Sequence, residues 1–363
     1  MQNDYIKFYL IVYAFTLLNL ANGFTFAPKE EFKDPLLKVS PKDGGIGFND
    51  ISRSLNWETN TNIESGDSKA VKGGTLTMLG GAEYPKTFRD IGKDSRSQIN
   101  GLMAGIQYES LLTFDYENLE WKPNLATHWK MESDSLTYRF RIDPNARWSD
   151  GNEITANDVV AYFKLLVDPG HKDPNVSKIY DDLFEIPVAE SKYIVRIKSK
   201  KKDWRTFRYA AGFTPMPSLY LNKIDGAGYI DKYNFSFMPV SGPYQYDKEN
   251  SKSGSDGYIV FKRRENYWAK DYKRNQGYYN FDEIKFIFIE DENQQVVSFF
   301  NGDYDIHLLE EYPCETRKEL EKRETYWILK MSEKFKTTNK NMPSKLSMDE
   351  LDYINNLQIP QHI

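Results

Sequence analysis

The chain has 363 residues, enough for two or three domains, and its 40% hydrophobic and 28% charged content is that of a globular body. A formal net charge of −5 excludes the strongly basic footprint of a nucleic-acid binder. The single cysteine, Cys314, excludes an internal disulfide, and His128, His171, His307 and His362 show no metal-ligand spacing, so no cofactor or metal is expected.

In chain order, Met1–Lys7 is polar and Phe8–Ala21 is mostly apolar. That run is shorter than the roughly 20 residues of a membrane span. It reads as the core of a secretory leader, residues 1–23, cleaved after Ala21-Asn22-Gly23. An uncleaved anchor or a buried helix is the alternative. No cysteine lies near the cleavage point, so a lipid anchor is not expected. Residues 24–70 are polar and lack a period, as in an extended arm. Lys72-Gly73-Gly74-Thr75-Leu76 leads into a first strand that ends at Gly80-Gly81. Those glycines serve either close approach of backbone to a ligand or a plain turn.

Ser97 to Leu112 reads as a helix. Leu136, Tyr138, Phe140 and Ile142 alternate with polar residues as in a half-buried strand. Arg147-Trp148-Ser149-Asp150-Gly151 is a turn, and Thr155 and Asp158 form a capping box before the apolar helix Val159–Val167. Asp168-Pro169-Gly170 stops that helix. Phe184–Val188 and Tyr193–Ile197 read as a hairpin. The basic run Lys198–Lys202 reads as a solvated strand end, and Pro215–Pro217 as a stiff loop before a short helix near Leu219. Val240-Ser241-Gly242-Pro243-Tyr244 is a turn, and Tyr258–Phe261 a strand that runs into Arg264-Glu265-Asn266-Tyr267-Trp268. Ile284, Phe286 and Phe288 alternate; Asp291 caps a helix with an apolar side at Val296, Val297, Phe299 and Phe300. Asn301-Gly302 ends it before Asp303-Tyr304-Asp305-Ile306.

Four of these strings, in this order, resemble signatures of the extracellular solute-binding proteins of family 5, the periplasmic peptide-binding components of ABC importers. They are the Gly73-Gly74-Thr75 strand entry, the Trp148 turn with its helix, the Gly242-Pro243-Tyr244 turn with Asn266-Tyr267-Trp268, and Phe299–Asp305. Tyr108-Glu109 and Pro123–Trp129 add shorter matches, and the Tyr279–Ile284 lead-in is similar to the oligopeptide branch that includes microcin C importers.

The resemblance covers roughly residues 72 to 310. It implies an α/β periplasmic binding protein-like fold of type II (cluster C), with mixed sheets, flanking helices and an incomplete second lobe. Residues 71–310 become the first lobe, with an inserted subdomain at about 91–200, and 311–363 the start of the second lobe or a divergent tail. Charged and short helix candidates lie at 315–324 and 348–357. A truncated but functional chain and a non-functional remnant are both compatible with this ending.

The implied role is capture of a peptide or peptide-like solute, as a monomer, for the permease of an ABC importer. Nickel, haem, sugars and opines are also ligands in the family. The implied ligand-lining residues are Gly81, Ala82 and Glu83 after the first strand, Tyr180 beyond Asp168-Pro169, and Ser241 and Gly242 at the turn. Ordinary packing is the alternative at each. A secreted hydrolase is the other class, but no GxSxG, HExxH or Cys–His spacing supports an enzyme.

Overall fold

A computed structural model describes residues 7–13 and 39–313, except 64, 117 and 255. Two β-sheets organise it. The larger contains β1 (Lys7–Tyr13), β2 (Thr75–Gly81), β9 (Tyr244–Tyr246), β10 (Tyr258–Arg263), β11 (Glu283–Phe288) and β12 (Ile306–Pro313). Their order is β1-β12-β2-β11-β10-β9, and β2 runs parallel to both of its neighbours. β11 buries Ile284, Phe286 and Phe288 on one face, as its period of two predicts. Ile99 and Met103 of α2 (Gln98–Gln107) cover that face with Phe88 and Phe261.

The smaller sheet has the order β5-β6-β8-β7, from β5 (Ala126–Met131), β6 (Thr137–Ile142), β7 (Val188–Ala189) and β8 (Ile194–Lys198). A separate hairpin pairs β3 (Leu112–Asp115) with β4 (Glu120–Pro123). Helices α3 (Ala156–Val167), α4 (Pro174–Leu183), α5 (Arg205–Ala211), α6 (Ser218–Leu221) and α7 (Gly226–Lys232) flank this half. Its core includes Phe140, Trp148, Phe163 and Val195, all buried.

Two expected elements are corrected. The helix expected at 97–112 stops at Gln107, because Gly242 N–H takes the Gln107 carbonyl at 2.7 Å and Leu112 joins a strand. The first strand of the expected 184–197 hairpin shrinks to Val188–Ala189. Pro187 has no N–H to offer a ladder, and only an isolated bridge holds Phe184 to Ser199.

Part of the arm, residues 39–63, lies on the smaller sheet. Phe48 of α1 (Phe48–Ser52) is fully buried between the Trp57 and His128 rings, each 5.2 Å away. The buried Arg141 donates to Gly44 O at 2.9 Å. Glu58 bridges to Trp129 on the open edge of β5, satisfying backbone groups that an edge strand would leave bare. Residues 7–13, inside the expected leader, pair antiparallel with β12. The expected cleavage point and the helix candidates after 313 lie outside the described residues.

Candidate functional site

In open α/β sheets, ligand crevices lie beyond the carboxyl ends of parallel strands. Here that rim follows β2 and β11, where Phe288 pairs with Gly81 and Gly81 O accepts from Ile289 N at 3.2 Å. The two glycines do different jobs. A Cβ on Gly80 would lie 2.6 Å from the Phe288 ring, so glycine there makes room for packing. Gly81 has φ +136°, a conformation that L side chains rarely adopt, and nothing stands within 4 Å of where its Cβ would be. Bare backbone therefore faces open space at Gly81. Ala82 and Glu83 follow it, both exposed. Glu83 has no hydrogen bond or ion pair among the described residues. Tyr84 turns back, packing on Phe288 at 5.2 Å, and burial pushes its hydroxyl up to about 12.

Just beyond the end of the neighbouring strand β11, Glu290, Asp291 and Glu292 are exposed at the same end of the sheet. Asp291 caps α8 (Glu292–Asn301), its Oδ1 accepting from Gln294 N at 2.7 Å. The helix ends at Gly302, whose φ is +81°. The chain is then pinned back to β2. Asp305 N donates to Thr77 O at 2.8 Å, and Asp305 Oδ2 accepts from Thr77 N at 2.7 Å. The rim can thus offer carboxylates and an open face of backbone at Gly81 to a ligand. Among the described residues no group of three or more His, Cys, Asp or Glu is placed to hold a metal ion.

The other motif residues meet away from the rim, at the junction of the two sheets. Ser149 N donates to Val240 O at 2.8 Å, and Val240 N donates to Ser149 Oγ at 3.0 Å. Arg264 Nη1 donates to Val240 O at 3.0 Å and to Gly242 O at 2.6 Å. Burial pushes this guanidinium down to about 10. The carboxylate of Glu109, also buried, accepts from Tyr267 Oη at 2.6 Å and Trp268 Nε1 at 2.9 Å. Desolvation raises its pKa, and these two donors oppose the rise. Glu109 N donates to Ser241 Oγ at 2.8 Å.

The capping box sits beside this junction. Asp158 Oδ2 accepts from Thr155 N at 2.7 Å, and Asp158 Oδ1 accepts from Ser218 N at 2.7 Å. One carboxylate therefore starts α3 and ties α6 to it.

Of the six residues picked from sequence, Gly81, Ala82 and Glu83 stand together on the rim. Ser241 is fully buried, with its hydroxyl engaged by Glu109. Gly242 is packed so closely that a Cβ would meet Gln107 O at 2.8 Å. Tyr180, on α4, packs edge-on against Phe163 and Phe213, at 5.9 and 6.1 Å. Sequence reasoning missed Tyr84, Glu290 and the Glu109 carboxylate. For Glu109 a signal existed: it belongs to one short motif, and Tyr267-Trp268, its donors, to another.

The model of the bacterial extracellular solute-binding proteins, family 5 Middle, matches residues 120–347. A relative from Agrobacterium fabrum named "Probable peptide-binding protein YejA" is 24% identical over 241 residues, covering 66% of this chain and 38% of the relative. The oligopeptide-binding protein AppA of Bacillus subtilis, solved with a nonapeptide, is similar in fold at TM-score 0.53 and 23% identity, over 65% of this chain and 44% of AppA. OppA of Haemophilus influenzae, solved with the peptide RPPGFSPFR, matches at TM-score 0.53 and 22% identity, over 65% of this chain and 46% of OppA. The matched stretch is thus less than half the length of each of these proteins.

Proposed function

From the premise that this chain belongs to family 5 of the bacterial extracellular solute-binding proteins, we propose that it captures peptides or peptide-like solutes outside the cytoplasmic membrane for an ABC importer. Its partners in this reading are the solute and the importer's permease, and it acts as a monomer. The role is binding, not catalysis. The observation that carries the reading is the rim after β2, where Gly81 leaves backbone bare and Glu83 stands beside it unpaired among the described residues. Gly81, Ala82 and Glu83 contact the ligand. Tyr180, Ser241 and Gly242 act one step back, by fixing the framework that holds the rim. Residues 71–310 form the first lobe of the binding protein, and its ligand is enclosed by surfaces beyond it.

Titration calorimetry of the folded chain with a mixed peptide library tests this reading. Saturable heat is expected. A folded sample that gives no heat with any peptide counts against it. The reading also includes export through residues 1–23, which mass spectrometry of the exported protein checks. A mature chain starting at Phe24 is expected, and β12 then loses its β1 partner.

A further inference from the structure

We propose that the face formed by α5 and the β3–β4 hairpin docks onto an anionic lipid bilayer. Three large side chains project there. Trp204, at the start of α5, is 83% exposed; Tyr116 and Leu119, at the hairpin tip, are 69% and 73% exposed. Scattered exposed apolar residues need no explanation, but a tryptophan this bare beside two others is unusual.

The side chains belong to one surface. Arg208 Nη2 donates to Tyr116 Oη at 3.0 Å, which ties α5 to the hairpin. Beneath them the base is rigid: Trp121 of β4 packs edge-on to Phe207 of α5 at 5.6 Å, and Phe114 packs on Tyr116 at 5.1 Å.

Charge selects the occupant. Residues 198–208 carry six basic side chains against one acid, Asp203, in a chain of net charge −5. Lys198, Lys200 and Arg205 are paired with Glu185, Asp181 and Asp203. Lys201 and Lys202 are exposed and have no ion pair among the described residues. Of the three hairpin acids, Asp115 is engaged by Lys122 and Glu120 by Asn60, which leaves Glu117 as one acid of the turn against the six basic residues of 198–208. Tryptophan and tyrosine favour the headgroup layer because the ring is apolar and its edge polar. Lysine and arginine beside them add attraction to anionic lipid. Binding strength grows with the apolar area inserted and with the attraction to anionic lipid, so the two contributions add. At these exposures the rings stand proud of the surface, a shape suited to entering a headgroup layer.

Flotation of the whole chain with lipid vesicles tests the proposal. Binding is expected to phosphatidylcholine vesicles that contain phosphatidylglycerol, at low salt, with release as salt is raised. Phosphatidylcholine alone should bind little. The double variant Lys201→Glu, Lys202→Glu should weaken binding by about tenfold or more. Trp204→Ala should weaken it while leaving the circular dichroism and melting temperature unchanged, because the ring is solvent-facing. Absence of flotation on anionic vesicles at low salt overturns the proposal, as does flotation that neither variant reduces. Tight capture of soluble heparin without flotation would assign the face to a polyanionic polymer instead, and also overturns it.

Discussion

At the junction of the two sheets, Trp148, Ser241 and Arg264 are almost wholly enclosed, whereas Ala82 and Glu83 on the rim stand in solvent. The contrast is chemical as well as spatial. Several junction polar groups are consumed within the fold: Glu109 by Tyr267 and Trp268, Ser241 by Glu109, and Val240 by Ser149, while Trp148 Nε1 and Arg264 Nη2 are buried without a partner among the described residues. Rim groups are left over. The strings most typical of the family therefore build the frame, and the residues free to meet a ligand come from a short, unremarkable stretch after one strand. A buried polar group is costly unless paired, so a frame of this kind tolerates few alternatives, while a solvated rim tolerates many.

Substitutions can break this contrast, and the largest effect is expected at its most enclosed point. Trp148→Ala should cost about 3–5 kcal/mol by leaving a cavity in the core of the smaller-sheet half. Urea unfolding measures it, and a loss below about 1 kcal/mol would mean that the junction is looser than its burial suggests.

A smaller effect is expected where the arm covers the smaller sheet. Burial, and then the Arg141 charge, push the His128 imidazole from 6.5 down to about 4. Between those values the folded chain binds fewer protons than the unfolded one. Stability from this residue is therefore complete above the unfolded value and declines as pH falls toward the folded one. The loss should be on the order of 1–3 kcal/mol, since the ring is only partly desolvated. Urea unfolding at neutral pH and at acid pH, compared with His128→Gln, checks this. The variant should show the shallower decline, and identical pH profiles would remove His128 as the cause.

The smallest expected effect on stability lies on the rim. Glu83→Gln should change it by no more than about 0.5 kcal/mol, because no hydrogen bond or ion pair among the described residues is lost. The same variant sharpens the contrast through calorimetry: affinity for a bound peptide should fall while the melting temperature stays. A shift in melting temperature with unchanged affinity would move Glu83 from the rim to the frame.

Local patterns were legible wherever chemistry between near neighbours decides them. Asp158 reaches back to Thr155, Asp291 caps its helix, Gly302 ends it in a left-handed conformation, and β11 alternates as its apolar residues predict. Each depends on residues within a few positions of one another. The same locality explains the misreadings. The helix after Ser97 has helix-compatible residues past Gln107, and it stops because Gly242, distant in sequence, takes the Gln107 carbonyl.

The glycines at 80 and 81 show the same division. Sequence could say that both were permissive, but not which one packs and which one lines open space. Only the parallel neighbour β11 decides, by placing the Phe288 ring against Gly80 and leaving Gly81 bare. The surroundings of Ser241 are likewise set from afar. Its neighbours in sequence form a turn, and the partner that occupies its hydroxyl, Glu109, lies in another motif.

Sequence by itself determined the capping box of α3, the Asp291 cap of α8, the alternating strands and the family, because these depend on short spacings. Tertiary structure alone decided which motif residues face inward. Burial and hydrogen-bond partnership are properties of segments brought together from far apart, and the Trp148 turn acquires its role only when Val240 and Arg264 close around it.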